Sequence, residues 1–486
     1  MNTPPGFVLT RHGAHGSDAH NVRRNREEWS MRRRLVVVGA GAAGMSAASA
    51  ARRVDNHLEV VVLEAGNHAA YGLCGLPYFL SHVVADVDSL RAYPPTYFRD
   101  QRDIDLRFGA EVVRIDAERQ VVHHRTAGRT GLLHYDKLIL TAGATAFLPA
   151  VPGLDDDHVF TVRDVAESVR LRGLLDAGHV GHATVVGGGY IGLEVAESLA
   201  ERGISVTLVE ALPRLMANLD PELSQRVQDE VEQHVVVRLN SALSSLVRTD
   251  RGLTLRLADG SAIETDVVIV ATGVRPASTL GSSIGANTGP GGALLVDEHM
   301  RTSVPNVYAA GDCIAPNHIA TGRPAFIPLG PTANKTGRVA GTVAAGGSAC
   351  FAGIAGTAIV KVFGIGVGRT GLTLVEALSE GFDAQATDAV GRSRAKYFPG
   401  SAQVDVRLVH TGDGRLLGAQ FVGQGDDVAK RVDVTAVALH AGLGVEDLAD
   451  LDLSYAPPFA PVYEPVLLAA NAAVAALKPL RLAAGE

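Results

Sequence analysis

The chain has 486 residues, of which 47% are apolar and 20% are charged. This balance supports a buried core and excludes a disordered protein, and the length predicts about three domains. A net charge of −8 gives no reason to expect nucleic-acid binding, and only three cysteines, without CxxC or zinc-ligand spacing, exclude a disulfide scaffold and favour a reducing cytoplasm.

The first 30 residues are polar and basic and lack the apolar centre of a secretory signal. We interpret them as a disordered leader, or as the product of a start codon placed too early, because Met31 opens the ordered pattern. Binding to an acidic surface is the alternative interpretation of this basic segment.

Residues 35–63 predict a strand, a glycine-rich turn, an alanine-rich helix over 42–53 and a second strand. The turn places Gly39, Gly41 and Gly44 in GxGxxG spacing, and Glu64 follows the second strand 25 residues after Gly39. The glycines permit a tight turn, close approach of a pyrophosphate and close packing of helix on strand, while the acid accepts hydrogen bonds from a ribose. We therefore predict a dinucleotide site and no membrane span in the uncharged stretch.

An isolated cysteine follows this unit, in Tyr71-Gly-Leu-Cys-Gly-Leu-Pro-Tyr78. Its position implies sulfur chemistry at Cys74 beside the first dinucleotide. A reactive thiol needs solvent access and a lowered pKa, which we expect a helix beginning after Gly75 to supply. The alternative is a structural thiol, and this is our interpretation of Cys313 and Cys350.

A second copy of the unit begins with a strand over residues 183–186. Its turn has Gly187, Gly189 and Gly192, and Glu210 lies 23 residues after the first of these glycines. A carboxylate at this position repels a 2′-phosphate, so NADH is favoured over NADPH. Arg214 either softens this preference or is a solvated surface charge.

The two copies indicate an internal duplication in an α/β protein. Residues 135–143 and 266–276 are equivalent buried strands that end in small-residue turns, and residues 304–312 predict a strand returning to the first fold. The predicted fold has two Rossmann-like dinucleotide-binding domains, the second inserted in the first, and a C-terminal α+β domain with strands near 358–363, 404–409 and 416–422 and a helix over 428–441. The predicted domains are 31–145 with 273–349, 146–272, and 350–486.

Together these segments resemble the FAD-dependent pyridine nucleotide-disulfide oxidoreductases over residues 31–475. The resemblance implies that the first glycine turn and Glu64 bind the ADP part of FAD. Tyr308-Ala-Ala-Gly-Asp312 resembles the second FAD motif of the family, whose aspartate bonds the ribityl chain. Pro328-Leu-Gly-Pro-Thr-Ala-Asn-Lys-Thr-Gly-Arg338 resembles a helix start that points at the flavin, which implies contacts at Thr332 and Ala333 and stabilisation of negative charge on reduced flavin.

Within this family, the single cysteine in Cys74-Gly-Leu-Pro-Tyr78 resembles coenzyme A disulfide reductases and NAD(P)H-dependent persulfide or polysulfide reductases. The CxxxxC pair and the C-terminal His-Glu pair of glutathione-reductase-like members are absent. NADH oxidases and peroxidases place a histidine in the first glycine turn, where this chain has Ala42. The resemblance therefore implies an NAD(P)H-dependent flavoprotein disulfide reductase, with coenzyme A or a similar small thiol as substrate.

The C-terminal domain resembles the dimerisation domain of the same subgroup. Ala395-Lys-Tyr397-Phe-Pro-Gly400 and Tyr455-Ala-Pro-Pro-Phe459 are similar to segments whose tyrosines reach the cysteine of the other protomer. This implies a homodimer with Tyr455 as proton donor and Tyr397 assisting it; packing in the dimer core is the alternative role. Arg52 and Arg53 are candidates to bind coenzyme A phosphates, or else form a solvated helix end.

Two rival functions stay open at this point. One is an NADH oxidase or peroxidase in which Cys74 cycles through a sulfenic acid. The other is a non-catalytic flavin redox sensor whose partner responds to the state of Cys74. The complete second dinucleotide unit weighs against the sensor, which would not need it.

Overall fold

The computed structural model describes residues 33–250, 252–424 and 427–484. The predicted basic leader, residues 1–30, lies outside the described residues. Three layered regions follow along the chain: two parallel sheets flanked by helices, and an antiparallel sheet near the C-terminus. This architecture confirms the predicted fold class.

The first sheet is parallel and has five strands, and the apolar segments of all but the edge strand Asp105–Arg107 are buried. The strand Val307–Ala309 lies far along the chain from the other four and pairs with Lys137–Leu140, as predicted for the return of the chain to the first fold. In spatial order the strands are Val307–Ala309, Lys137–Leu140, Arg34–Val38, Glu59–Leu63 and Asp105–Arg107.

The second sheet repeats this plan, again with five parallel strands. The chain enters this unit at Ala144–Ala146 and leaves it at Val274–Pro276, and these two segments pair as an antiparallel ribbon. The second unit is therefore inserted in the first. In spatial order its strands are Val236–Arg238, Ser205–Val209, His182–Val186, Val267–Val270 and Val159–Phe160.

Each parallel unit carries a three-stranded antiparallel sheet, and a short parallel pair of strands lies near the first unit. The strands of these small sheets are Ala110–Asp116, Val121–Thr126, Arg129–His134, Leu243–Thr249, Gly252–Leu257, Ala262–Thr265, Leu294–Leu295 and Ile314–Ala315.

Four helices matter for the site and are labelled here in chain order: α1 is Ala42–Val54, α2 is Tyr190–Glu201, α3 is Gly330–Ala344 and α4 is Val428–Ala441. The other α-helices are Leu76–Leu80, Val165–Asp176, Pro221–Val231, Thr279–Ser282, Leu374–Ser379, Val445–Ala449 and Pro465–Ala484. Shorter helical turns are Leu73–Gly75, Val87–Leu90, Tyr97–Gln101 and Pro290–Gly292.

Helices α1 and α3 pack against each other closely because α3 has glycines at the contact. A Cβ at Gly337 would lie 2.2 Å from the Ala43 carbonyl oxygen, and one at Gly341 would lie 2.0 Å from that of Ala47. Only hydrogen fits at these two positions. This contact fixes the start of α3 relative to the first glycine turn.

The C-terminal sheet is antiparallel with five strands, and α4 packs on it. Three of its strands and α4 match the sequence prediction. The sequence does not predict the other two, Ile365–Gly371 and Ala384–Arg392. In spatial order the strands are Ala358–Val362, Ile365–Gly371, Leu416–Gln424, Gln403–Thr411 and Ala384–Arg392.

Candidate active site

The first glycine turn connects the strand Arg34–Val38 to α1. Gly39 has a φ of +100°, and a Cβ at Gly44 would lie 1.9 Å from the Gly39 carbonyl oxygen, so both positions require glycine. A Cβ at Gly41 would meet nothing within 4 Å, because this residue faces open space. Glu64 accepts hydrogen bonds from the backbone N–H groups of Ala40 and Gly66, both at 2.7 Å.

The second glycine turn has the same geometry. Gly187 has a φ of +113°, a Cβ at Gly192 would lie 1.9 Å from the Gly187 carbonyl oxygen, and Gly189 faces open space. The Glu210 carboxylate accepts hydrogen bonds from the N–H groups of Gly188 at 2.6 Å and Leu212 at 2.8 Å. The duplication therefore extends to the hydrogen bonds of the two acids.

Both turns open into one cavity of about 1660 Å³. This volume exceeds the roughly 1,000 Å³ at the upper end of single-ligand pockets. Helices α1, α2 and α3 all begin at its wall, and no side chain caps the N-terminus of any of them. The free N–H groups and positive ends of three helices therefore face one cavity, which suits anionic ligands.

Cys74 lines the same cavity, on the helical turn Leu73–Gly75 that precedes the short helix Leu76–Leu80. The residue is exposed to the cavity, so its thiol is accessible. The expected lowering of its pKa is not found: burial by the cavity walls raises the pKa of the Cys74 thiol, and the charges of Glu194 and Asp312 raise it further. The Arg163 guanidinium opposes them.

Two residues beside Cys74, Glu194 and Tyr78, have roles in the site that the sequence did not predict. Glu194 of α2 lines the cavity, and the Tyr78 hydroxyl donates a hydrogen bond to its carboxylate at 3.4 Å. Burial raises the pKa of Glu194 to about 7, with a smaller contribution from the charge of Glu197 and an opposing one from the Tyr78 bond. Burial and the neighbouring carboxylates raise the pKa of Tyr78 to about 12. A carboxyl group that titrates near neutral pH therefore lies beside the thiol.

Asp312 lines the cavity next to this group and forms an ion pair with Arg163 at 3.1 Å. Arg163 also donates to the Ala144 carbonyl in the ribbon that joins the two units. No sequence pattern predicts the role of Arg163, because it lies 149 residues from Asp312. At the start of α3, Ala333 lines the cavity, whereas the neighbouring Thr332 is not part of its wall.

The two arginines at the end of α1 have different surroundings. Arg52 donates hydrogen bonds to the carbonyls of Arg102, Asn56 and Leu58, and its fourth bond is an ion pair with Asp103 at 2.8 Å. These contacts hold Arg52 at the helix end, and its role in binding substrate stays a prediction. Arg53 lines the cavity.

Aromatic and basic side chains form another part of the cavity wall. The rings of Tyr93 and Tyr97 stack with centroids 4.5 Å apart, and the Arg102 guanidinium lies 5.3 Å from the Tyr97 ring centroid. All three line the cavity together with Arg53. This wall combines cations with flat rings, a combination that binds phosphates and a purine base.

Tyr397 and Tyr455 lie together on the surface of the C-terminal domain. A hydrogen bond to Tyr397 raises the pKa of Tyr455. Their exposed fractions are 76% and 49%, and neither lines the cavity of the same protomer. Phe459, Val462 and Tyr463 are also exposed in the adjoining segment. The structure thus brings the two tyrosines together, at an exposed aromatic surface rather than at Cys74.

Membrane-spanning helices and metal-ligand clusters are both absent from the described residues. Within 33–250, 252–424 and 427–484, no helix has the length and apolar character needed to cross a bilayer. The same residues contain no group of three histidine, cysteine or acidic side chains placed to hold a metal ion.

The residues of the cavity fit FAD and a nicotinamide dinucleotide. Two glycine turns with open faces, two acids and three uncapped helix starts supply the contacts that such anionic ligands need. Residues 33–337 match the family model described as pyridine nucleotide-disulphide oxidoreductase, and residues 357–465 match its dimerisation domain. The chain belongs to this family. It is an oxidoreductase that uses FAD and NAD(P)H.

Relatives cover almost the same span. An NAD(P)H coenzyme A polysulfide/persulfide reductase of Pyrococcus horikoshii is 36% identical, over 91% of this chain and 98% of its own. An NADH oxidase of Methanocaldococcus jannaschii is 33% identical, over 91% and 98%. A coenzyme A disulfide reductase of Staphylococcus haemolyticus is 32% identical, over 88% and 96%.

A solved structure gives the same result. A NAD-dependent persulfide reductase from A. fulgidus superposes with a TM-score of 0.89 and is 37% identical. The superposition covers 92% of this chain and 84% of the other.

Proposed function

We propose that the protein is a homodimeric, NAD(P)H-dependent flavoprotein that reduces a low-molecular-weight disulfide or persulfide of the coenzyme A type through Cys74. The observation that carries this proposal is the accessible Cys74 thiol in the one cavity that both glycine turns line. The names of the Pyrococcus and Staphylococcus relatives support the choice of coenzyme A sulfur as substrate.

The first glycine turn, Glu64, Asp312 and the start of α3 at Ala333 would hold FAD, and the second turn with Glu210 would hold the nicotinamide dinucleotide. FAD bound there supplies two-electron transfer between NAD(P)H and the sulfur of Cys74. The Glu210 carboxylate, fixed by two backbone N–H groups, repels a 2′-phosphate and favours NADH. The Arg214 guanidinium donates a long hydrogen bond, of 3.5 Å, to the Ala217 carbonyl.

Cys74 performs the sulfur chemistry. Its thiolate attacks one sulfur of a disulfide R–S–S–R′, which forms a Cys74–S–S–R mixed disulfide and expels R′–S⁻. Two electrons originating from NAD(P)H and one proton then convert the mixed disulfide to the Cys74 thiolate and R–SH. A lone cysteine needs this external partner because it has no second thiol with which to form an internal disulfide.

The expelled thiolate needs a proton. Tyr455 of the partner subunit is the proposed donor, with Tyr397 of the partner subunit bonded to it. Exposure of this pair on the free protomer supports the proposal, because a residue that serves the other subunit must be accessible before assembly. The match to a dimerisation domain over residues 357–465 supports it as well.

Coenzyme A would bind along the wall formed by Arg53, Tyr93, Tyr97 and Arg102. Guanidinium groups pair with phosphates in a fork geometry, and stacked tyrosine rings offer a face to adenine. Of the two arginines at the end of α1, Arg53 is favoured for this role because it lines the cavity, whereas Arg52 has four bonds within the protein.

An NADH oxidase is the second candidate, favoured by the name of the Methanocaldococcus relative. In that reaction Cys74 would cycle through a sulfenic acid and oxygen would be consumed. Ala42 weighs against it, because the oxidases and peroxidases that this family resemblance includes have a histidine at this point in the glycine turn.

The test measures NADH oxidation with coenzyme A disulfide while recording thiol release and oxygen uptake in one assay. We expect about two thiols per NADH and little oxygen uptake, because two electrons cleave one disulfide. Cys74→Ser should lose thiol release and keep bound flavin. The control is Cys350→Ser, at an exposed cysteine outside the cavity, which should retain thiol release. Full activity in Cys74→Ser would refute the proposal, and oxygen uptake without thiol release would favour the oxidase.

A further inference from the structure

Arg431 is the largest side chain that is fully buried among the described residues, with 1% of its surface exposed. It lies on α4 and forms an ion pair with Glu464, whose exposed fraction is 5%. An Nη group donates a hydrogen bond to Oε2 at 2.9 Å, and Nε lies 2.6 Å from Oε1 in a close charge contact. One hydrogen bond and one charge contact therefore hold the guanidinium against the carboxylate.

The other donors of Arg431 reach the backbone. The guanidinium donates to the Asp427 carbonyl at 2.8 Å and to the buried Ser393 carbonyl at 3.1 Å. Ser393 begins the loop that carries Tyr397, and Glu464 follows the segment that runs from Tyr455. One buried side chain thus joins both tyrosine-bearing segments to α4.

Further bonds hold the two segments together as a unit. The Ala395 N–H donates to the Pro457 carbonyl at 3.2 Å, directly linking the segments. Lys430, next to Arg431 on α4, donates to the Phe459 carbonyl at 3.2 Å. Tyr397 and Tyr455, one on each segment, interact at the surface, where Tyr397 raises the pKa of Tyr455.

A buried ion pair is a weak way to stabilise a fold. Removing two charges from water costs several kcal/mol per ion, and well-packed apolar residues of similar volume often stabilise as much or more. What such a pair does supply is direction, because a planar guanidinium fixes its partners in a set geometry. The placement of Arg431 between the two segments points to a positional role.

We propose that Arg431 is a positioning residue that holds Tyr397 and Tyr455 in the arrangement in which they reach the partner's Cys74. This inference rests on the proposed function, in which the tyrosine pair protonates the leaving thiolate. Arg431 itself touches neither substrate nor sulfur in this account.

The experiment compares Arg431→Lys with Arg407→Lys in the full-length dimer. Arg407 is also a buried arginine of the C-terminal sheet, but its partners Asp388 and Glu222 lie outside the tyrosine segments. Lysine keeps the charge and loses the fork. We expect Arg431→Lys to lower kcat for coenzyme A disulfide by about ten- to a hundredfold, as for a small displacement of a catalytic group, with KM and flavin reduction by NADH within about twofold. Arg407→Lys should leave both half-reactions unchanged.

Tyr455→Phe in the same assays separates this inference from the proposed function. If Tyr455→Phe slows disulfide reduction and Arg431→Lys does not, the positioning role is refuted while the proposed function stands. If Tyr455→Phe has no effect, the tyrosine role fails and the inference fails with it. Equal slowing of both half-reactions in Arg431→Lys would also overturn the inference.

Arg431→Lys could disturb dimerisation, which size-exclusion chromatography detects. In that event Arg431→Met combined with Glu464→Leu replaces both charges with apolar groups and restores a neutral core. A dimeric double variant with the same selective loss of kcat supports the positioning role. A dimeric double variant with unchanged kcat refutes it.

Discussion

Cys74 lies among charged side chains whose effects on its thiol oppose one another. Burial and the carboxylates of Glu194 and Asp312 raise its pKa, and Arg163 lowers it. The balance favours the protonated thiol at neutral pH in the protomer. The charge of Glu194 is itself variable, because the pKa of this carboxyl group is about 7.

Removing the negative charge of Glu194 and removing the positive charge of Arg163 should have opposite effects on the reactivity of Cys74 in the reduced enzyme. Glu194→Gln removes a negative charge and should lower the pKa of Cys74, which raises its rate of alkylation by iodoacetamide at pH 8. Arg163→Gln removes the opposing positive charge and should lower that rate. We expect changes of about three- to tenfold, since one unit of pKa alters the thiolate fraction about tenfold.

Glu201→Gln is the control, because Glu201 ends the same helix as Glu194 but is exposed. Its alkylation rate should equal that of the unmodified chain. Flavin content is measured in parallel, since Arg163 also pairs with Asp312. A slower reaction in Glu194→Gln would contradict the electrostatic account.

At this scale the sequence locates groups that belong to local motifs. Short local motifs contain the turn glycines, Glu64, Glu210 and Cys74, and each motif has a physical explanation. Glu194 and Arg163 do not, because their roles arise from residues 116 and 149 positions away that only folding brings near them. The expected lowering of the Cys74 pKa was wrong for a related reason: the helix after Gly75 has only five residues, and burial by the cavity walls, followed by the charges of Glu194 and Asp312, raises the pKa.

At the scale of elements, the contact between α1 and α3 has most to do with the site, because both helices begin at the cavity wall. The backbones of the two helices approach closely at Gly337 and Gly341 of α3. The spacing of four residues puts both glycines on one face of α3.

Gly341→Ala should therefore destabilise the protein although alanine is the better helix former. The added methyl group would lie 2.0 Å from the Ala47 carbonyl oxygen, and we expect a loss of about 1–3 kcal/mol from overpacking. Thermal unfolding monitored by circular dichroism measures it, and flavin release on dilution should accelerate.

Gly173→Ala is the matched control, in the helix Val165–Asp176. A Cβ there meets nothing within 4 Å, so this change should stabilise the protein by about 0.5–1 kcal/mol. If Gly341→Ala raised the melting temperature as Gly173→Ala does, the close packing of α1 on α3 would be disproved.

The strands that the sequence predicts are the continuous apolar ones. The strand Arg34–Val38 is buried along nearly its whole length, so composition alone identifies it. Ala384–Arg392 is an edge strand, mostly half-buried and rich in alanine and polar residues, and Ile365–Gly371 has glycine at three of seven positions. Pairing with neighbours, rather than intrinsic preference, makes these two segments strands.

At the scale of the whole molecule, the duplication lines one cavity with two dinucleotide turns, and Cys74 lines the same cavity. The second pair of functional groups, Tyr397 and Tyr455, lies on a different surface of the same chain. Under the proposed function a complete site requires two chains, and the match to a dimerisation domain supports a dimer.

Mixing two inactive variants tests this arrangement. In a heterodimer of Cys74→Ser with Tyr455→Phe, one site combines an intact cysteine with an intact tyrosine from the other subunit. Random exchange should restore roughly a quarter of full activity, because half of the dimers are mixed and each has one complete site. Activity no higher than that of the separate variants would show that each chain builds its own site.

The most direct test of the account is the mass of the Cys74 peptide from enzyme purified without reductant. We predict a disulfide-linked coenzyme A on Cys74 that one equivalent of NADH removes under anaerobic conditions, with release of the free thiol. An unmodified or sulfenic Cys74, with no thiol released by NADH, would contradict the proposal that this sulfur carries the substrate.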